Sequence, residues 1–446
     1  MLFGNHDPAT GQYFQAGPIQ YRDDIHVGSP HVSVPSGDWY VGDFVVHDSC
    51  SGDLDGGGRL EPIYLGLAEA EGSHTAIRMA GWNLVGGAHD LTQLATEKDN
   101  WNGWWTGVQG VHGVAGDVDG DGTDELLITE SRGSQMQLRV LRLGHDGGIP
   151  EFTELHSQVF TGWFGRVAVA QLDGDDALEI VVAHGTPGAP FTFGSLYVDA
   201  FDDLGTGVAF LDTVHHLTTS EVCVELVPGE FDGDPQDEIA FGVQTWVSKE
   251  SIIGSFDTYD HYVTWTLSYD FADGQASYLR TTSHDTFDGA DWAWDALGGK
   301  SRERFVAADY PGDGKDRVVW LHVQLDDWSV PLGGGADPVP NWDILLRAWD
   351  AVSGQVDAHY LFDARAESGP FGTYEPGYRG GDLAVVDDDG SGDENLLVTL
   401  GVDKSLGGTQ AWQTLVFHPG SSFQVGYLPG AGILGVPFMT GGDYDG

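Results

Sequence analysis

Short apolar runs alternate along the chain with turns rich in Asp and Gly, and one unit keeps returning. Residues 114–128 read VAGDVDGDGTDELLI, 168–182 AVAQLDGDDALEIVV, 227–241 VPGEFDGDPQDEIAF, 306–320 VAADYPGDGKDRVVW and 384–398 AVVDDDGSGDENLLV. A worn copy, SGDLDGGGRLEPIYL, covers 51–65, and the final TGGDYDG starts another. Each unit is an apolar run, a polar turn of nine residues and a second apolar run. That pattern predicts a β-hairpin. Two further strand-like runs follow in a repeat, such as GSLYVDAF and GVAFLDTVHHL, or HYVTWTLSYDF and ASYLRTTS. No stretch sustains a helical period.

With the first turn residue as position 1, the loops begin at 53, 117, 171, 230, 309, 387 and 443, 54 to 79 residues apart. Four antiparallel strands per repeat predict an all-β fold, a seven-bladed β-propeller with four-stranded blades. A stacked β-solenoid is the alternative, but its repeats are usually shorter. Residues 41–446 are expected to form the propeller. Residues 1–40 form an amino-terminal segment whose runs QYFQ, IQYRDDIHV and HVSV are expected to help close the ring. Gly446 falls four residues into the seventh loop, so the last blade is expected to be truncated and the chain a fragment of a longer protein. On that expectation the missing signal peptide does not bear on location.

Charge changes the picture. Asp and Glu number 69 against 19 Lys and Arg, a formal net charge of −50. Nucleic acid and anionic membranes need basic patches, so neither is an expected partner. No apolar run is long enough to span a bilayer. A solvated acidic surface of the halophile kind explains part of the charge, and bound cations explain another part. Cys50 and Cys223 are the only cysteines, which leaves no disulfide framework or thiolate zinc site. Cys223 lies in the apolar run EVCVELV and reads as a small core residue.

The loops carry the candidate chemistry. In the second, Asp117, Asp119 and Asp121 occupy positions 1, 3 and 5, with Gly122 at 6, Thr123 at 7 and Glu125 at 9. Alternate carboxylates on a tight turn converge, and position 7 adds a backbone carbonyl. Calcium takes about six to eight hard oxygen ligands in flexible geometry, which this set largely supplies. Gly122 is expected to allow the positive φ of the turn. The plainer reading, Asp and Gly as turn formers, covers one or two acids per loop but not three in alternation. The third loop offers Asp173, Asp175, Ala177 and Glu179, the fourth Glu230, Asp232, Asp234, Gln236 and Glu238, and the sixth Asp387, Asp389, Ser391, Asp393 and Asn395. The fifth has Pro311 at position 3 and Arg317 at position 9, so metal is not expected there, and the first is worn. About three to five calcium ions are expected in all.

With these loops the chain resembles the FG-GAP repeat family, also met as VCBS-type repeats and in the integrin α-subunit head. WFGRVAVAQLDGDDALEIVVA (163–183) matches best, with Phe164 and Gly165 as the FG and Ala183, His184 and Gly185 where GAP would stand. The resemblance covers about residues 40–446. It implies a seven-bladed propeller with calcium between the first two strands of several blades. The family includes adhesion heads, lectin-like modules and non-catalytic domains of enzymes, so function must come from the site.

No HExxH, GxSxG, phosphate-cradling glycine loop, Asn-x-Ser/Thr or Arg-Gly-Asp occurs, and no catalytic residue is assigned. His215 and His216 are adjacent on a predicted strand and point apart, so they cannot share a metal. Loops opposite the calcium turns collect WNGWW, DWAWD, GPFGTYEPGY and two insertions around 244–261 and 322–342. Trp104, Trp105, Trp292, Trp294 and Trp328 are the candidate ligand-binding residues, because an indole beside Asp and Asn suits sugar stacking. Core filling is the alternative role. The expected function is a secreted or cell-surface calcium-stabilised module binding a glycan or protein. The alternatives are a non-catalytic propeller of a larger extracellular enzyme, or a propeller that is itself a lyase or hydrolase.

Overall fold

The computed structural model describes residues 44–58, 60–68, 74–85, 88–94, 108, 110–146, 149–162, 164–186, 194–204, 208–217, 221–251, 258–272, 275–287, 304–309, 312–329, 339–363, 378–386, 394–402, 411–418 and 424–428, with four short strands before residue 35. Those strands, β1 (His6–Asp7), β2 (Gln12–Tyr13), β3 (Ile19–Arg22) and β4 (His31–Val34), pair as β1 with β2 and β3 with β4. Each pair forms a two-stranded antiparallel sheet.

Six four-stranded antiparallel sheets follow, each with its strands in chain order. The first is β5–β8 (Phe44–Gly52, Glu61–Ala68, His74–Val85, Ala88–Leu94), the second β9–β12 (Gly110–Gly116, Glu125–Arg132, Gln135–Asp146, Ile149–Thr161). The third is β13–β16 (Phe164–Ala170, Glu179–Thr186, Ser195–Phe201, Phe210–Leu217), the fourth β17–β20 (Glu221–Gly229, Glu238–Ser251, Thr258–Ala272, Gln275–Phe287). The fifth is β21–β24 (Arg304–Ala308, Arg317–Ser329, Val339–Trp349, Val356–Asp363), the sixth β25–β28 (Tyr378–Val386, Asn395–Val402, Ala411–His418, Gln424–Leu428). No helix occurs among the described residues. The start of the seventh loop lies outside them.

The second strand of each sheet explains the near-continuous apolar runs after the loops. On β10, Leu126 and Ile128 pack into the core shared with the first sheet, while Leu127 packs into the core shared with the third. On β14, Ile180 and Val182 face the second sheet, and Val181 and Ala183 the fourth. Side chains alternate across a strand, so a strand buried on both sides must be apolar throughout. Consecutive sheets thus stack face to face, as blades do. Their first strands β5, β9, β13, β17, β21 and β25 lie side by side in succession. The fold is all-β and propeller-like.

Two segments expected to be insertion loops are strand wherever they are described. Residues 244–251 extend β18 and pair with β19 as far as Ser251↔Thr258, and 322–329 extend β22 as far as Ser329↔Val339. Runs rich in aromatic and β-branched residues continue the ladder past the sheet instead of leaving it.

Candidate cation-binding loops and an axial charged cluster

The first four loops are anchored by their second residues. Leu54, Val118, Leu172 and Phe231 are buried. Their N–H groups donate to Oε2 of the glutamate at position 9: Glu61 at 2.9 Å, Glu125 at 3.3 Å, Glu179 at 2.5 Å and Glu238 at 2.6 Å. Position 4 holds a left-handed glycine in Gly56, Gly120, Gly174, Gly233 and Gly312, with φ from +68° to +97°. The positive φ expected at position 6 exists at Gly122 (+84°), but Asp176 and Pro235 hold the same position without it. Position 4 is therefore the required turn, and position 6 is optional. Position 1 adapts in length. Asp117 accepts from the N–H of Asp121 and Gly122 at 3.1 and 2.7 Å, whereas the longer Gln171 reaches the N–H of Gly174 at 2.6 Å.

Part of the acidity serves the turn itself. Oδ1 at position 5 accepts the N–H of position 7 at Asp121 (3.0 Å), Asp175 (2.8 Å) and Asp234 (2.9 Å). Other oxygens converge. Carboxylate atoms lie within 4.8 Å of one another in Asp117–Asp119–Glu125, in Asp173–Glu179–Asp202, in Asp175–Glu179–Asp203, in Glu230–Asp232–Glu238 and in Asp53–Asp55–Glu61. Asp202 and Asp203, on the turn between β15 and β16, were not foreseen as ligands. Oxygens Asp53 Oδ1, Asp119 Oδ1, Glu179 Oε1 and Glu238 Oε1 are buried and accept no hydrogen bond from the chain. Burial, then Asp173, Asp175 and Asp203, pushes Glu179 up to about 7. Burial, then Asp232 and Glu230, pushes Glu238 up to about 8. Glu125 rises to about 7 and Glu61 to about 8, burial again leading. Crowding of this kind favours a neighbouring positive charge.

Two loops already carry one. The Arg142 guanidinium, from β11, bonds Asp119, lies 2.7 Å from Glu125 Oε1 and 3.2 Å from Asp121 Oδ2. In the fifth loop Arg317, standing where glutamate is usual, bonds Asp357 and lies 2.8 Å from Asp313 Oδ2.

Position 8 has a role that sequence reasoning missed. Its backbone N–H donates to the position 1 carbonyl of the preceding loop: Asp124 to Asp53 at 3.0 Å, Leu178 to Asp117 at 2.9 Å, Asp237 to Gln171 and Asp316 to Glu230 at 2.7 Å. Where position 8 is acidic, its carboxylate accepts the N–H of the same position 1 residue. Asp124 takes Asp53 at 2.8 Å, Asp237 takes Gln171 at 2.8 Å, Asp316 takes Glu230 at 3.0 Å and Glu394 takes Asp309 at 2.7 Å. These acids staple neighbouring blades and are spoken for.

A second cluster lies on the axis. Five residues before each of the first six loops stand Asp48, His112, Arg166, Glu225, Arg304 and Asp382, an ionisable side chain at the same place on each first strand. Arg304 lies 3.0 Å from Glu225, 3.1 Å from Asp382 and 4.0 Å from Asp48. His112 Nε2 lies 3.1 Å from Glu225 and 3.5 Å from Asp48. Burial alone would raise Glu225, but His112, Arg304 and Arg166 outweigh it and hold the carboxyl at about 2. Burial disfavours the Arg304 charge, yet Asp382, Glu225 and Asp48 hold it well above its ordinary value. Beside these groups lies a cavity of about 330 Å3, also lined by Cys50, Val114 and Val306.

No family model and no curated protein matches the chain. Among solved structures, fructofuranosidase from Schwanniomyces occidentalis complexed with fructose is similar at 10% identity, with 98% of this chain and 89% of that one covered and a TM-score of 0.29. The β-fructofuranosidase of the same organism complexed with fructosyl-erythritol gives 10%, 95%, 82% and 0.29. A likeness of that size carries no residue across.

Of the expected residues, the second loop brings Asp117, Asp119 and Glu125 together, the third Asp173 or Asp175 with Glu179, and the fourth Glu230, Asp232 and Glu238, while Asp121 and Asp234 accept the position 7 N–H. Of the sixth, Asn395 is buried, and Asp387, Asp389, Ser391 and Asp393 lie outside the described residues. So do Trp104, Trp105, Trp292 and Trp294, while the backbone of Trp328 pairs with Pro340 in the β22–β23 ribbon. Cys223 is buried in the core, as its run predicts. His215 bonds Tyr269 at 2.8 Å and His216 stacks on Tyr197 at 4.3 Å, on opposite faces of β16. Phe164 and Gly165 pair with Gly185 and His184, and a Cβ on Gly165 would lie 2.6 Å from Met136 of the preceding sheet.

Proposed function

We propose that the chain is a calcium-stabilised β-propeller of the FG-GAP type that serves as an extracellular recognition module for a glycan or protein. The supporting observation is the buried, unbonded Oε1 of Glu179 and Glu238, each within reach of two or more further carboxylates. An oxygen left so costs about 1–3 kcal/mol or more, which a hard divalent cation would offset. Hinging no chemistry on the loops, calcium makes the blade ends rigid and holds the opposite face in shape. Extracellular loops of this kind have Kd values of about 0.1–1 mM, so millimolar calcium stabilises each by roughly 0.5–1.5 kcal/mol. Native mass spectrometry should count several calcium ions, and Glu179→Gln or Glu238→Gln should each remove one. Asp313→Ala, in the loop Arg317 fills, should remove none. Equal losses from all three, or no bound calcium, would sink the reading.

A second reading makes the propeller a unit of a larger extracellular enzyme acting on carbohydrate. The axial cavity favours it, since a built polar pocket could hold part of a substrate next to an attached catalytic domain. Binding without turnover by this chain, and turnover by the longer protein, would support that version.

A further inference from the structure

We propose that the axial cavity binds a neutral, polyhydroxylated ligand about the size of one monosaccharide. This names a ligand class for the recognition reading and rests on that reading, but not on calcium. The first argument is register. A chain that is 20% charged places an ionisable residue at the same inner-strand position in all six described repeats. Four of the six, Asp48, His112, Arg166 and Asp382, are less than 9% exposed. Burying four such groups beside two partly exposed ones is costly, and a hydrophobic plug would serve a purely structural hub better.

The second argument is charge. Arg304 is shared among Glu225, Asp382 and Asp48, and His112 bridges Asp48 and Glu225. The three acids are already engaged by Arg304 and His112, so a charged ligand would have to break those contacts. Hydroxyl groups need not. Each donates to a carboxylate lone pair or accepts from a guanidinium or imidazole N–H without displacing either. The third argument is shape. A volume of about 330 Å3 lies at the small end of ligand sites, ~300–1,000 Å3. Val114 and Val306 supply apolar wall for the C–H face of a sugar ring. The cavity runs from the ring toward the calcium loops, since Cys50, Val114, Pro228 and Val306 follow the ring residues along the first strands.

The test uses the whole chain in excess calcium. Glucose, galactose, mannose and fucose are the neutral probes, with glucuronate and glucosamine as charged counterparts, read by saturation-transfer NMR and calorimetry. At least one neutral sugar should bind. Asp382→Asn, which removes one charged acceptor, and Val306→Phe, which fills space and leaves every charge in place, should each weaken it about tenfold or more. Should Asp382→Asn unfold the protein, Val306→Phe decides. No binding by any neutral probe, tighter binding of a charged sugar than of its neutral parent, or unchanged affinity in Val306→Phe would overturn the proposal. Calcium counted on the same samples reports separately on the loops, so failure of either reading is seen by itself.

Discussion

Arg142 and Arg317 show that a loop of this kind can hold a protein cation where a metal would sit. They differ in what they leave behind. Arg317 replaces the position 9 glutamate, so the fifth loop loses a ligand and gains a charge. Arg142 comes from a neighbouring strand and leaves Asp119, Asp121 and Glu125 in place. Its side chain is one-third exposed, so it can swing out to water when calcium enters. Two unit charges a few ångströms apart interact by ~1–4 kcal/mol near a protein surface. Arg142→Gln should therefore tighten calcium binding at this loop by about tenfold, measured by calorimetric titration. Weaker binding in the variant would mean that Arg142 orders the ligands instead of competing for them.

At the level of the hairpin, positions 8 and 9 divide the work. Position 9 turns inward and closes the loop on its own position 2, while position 8 reaches the loop of the preceding blade. Truncating position 8 strands a partly buried N–H, a loss of about 1–3 kcal/mol. Asp237→Ala should lower stability by that amount, through Gln171, and leave the calcium count unchanged. Glu238→Gln, one residue further on, should do the opposite: remove a calcium with little loss in the calcium-free protein. Chemical denaturation and native mass spectrometry on the two variants separate these outcomes. A calcium loss in Asp237→Ala would make position 8 a ligand.

For the molecule as a whole, the raised carboxyls tie stability to pH. Glu61 and Glu238 titrate at about 8 and Glu125 and Glu179 at about 7 in the folded, calcium-free chain. In the unfolded chain they titrate near ~4.3. Between these values the folded state binds more protons than the unfolded state, so stability of the calcium-free chain falls as pH rises from about 5 to 8. Calcium needs the ionised carboxylates, and its stabilisation grows over the same window. Melting curves at constant ionic strength should show the gap between chelated and calcium-loaded protein widening from pH 5 to 8. A gap that narrows would exclude these glutamates as ligands.

The repeat and the hairpins were legible in the amino-acid order, because each is written by neighbours in the chain. That LLI after Glu125 and IVV after Glu179 are covered on both faces was decided by the stacking of neighbouring sheets. The loop acids were legible for the same reason: alternate spacing on one turn converges whatever the rest of the chain does. What lay beyond sequence reasoning involves strands brought together from distant repeats. The position 8 staples join residues 66 to 86 apart. Arg142 meets its loop only through the strand after it, and Asp202 and Asp203 join Glu179 only because the third-to-fourth turn closes on the same end of the blade. The axial ring is the clearest case. An ionisable residue five places before each loop is visible in the sequence, yet three acids, two arginines and a histidine become one cluster only when six first strands come together. Local spacing determines turns and strand faces; which charges neutralise one another depends on how the blades pack.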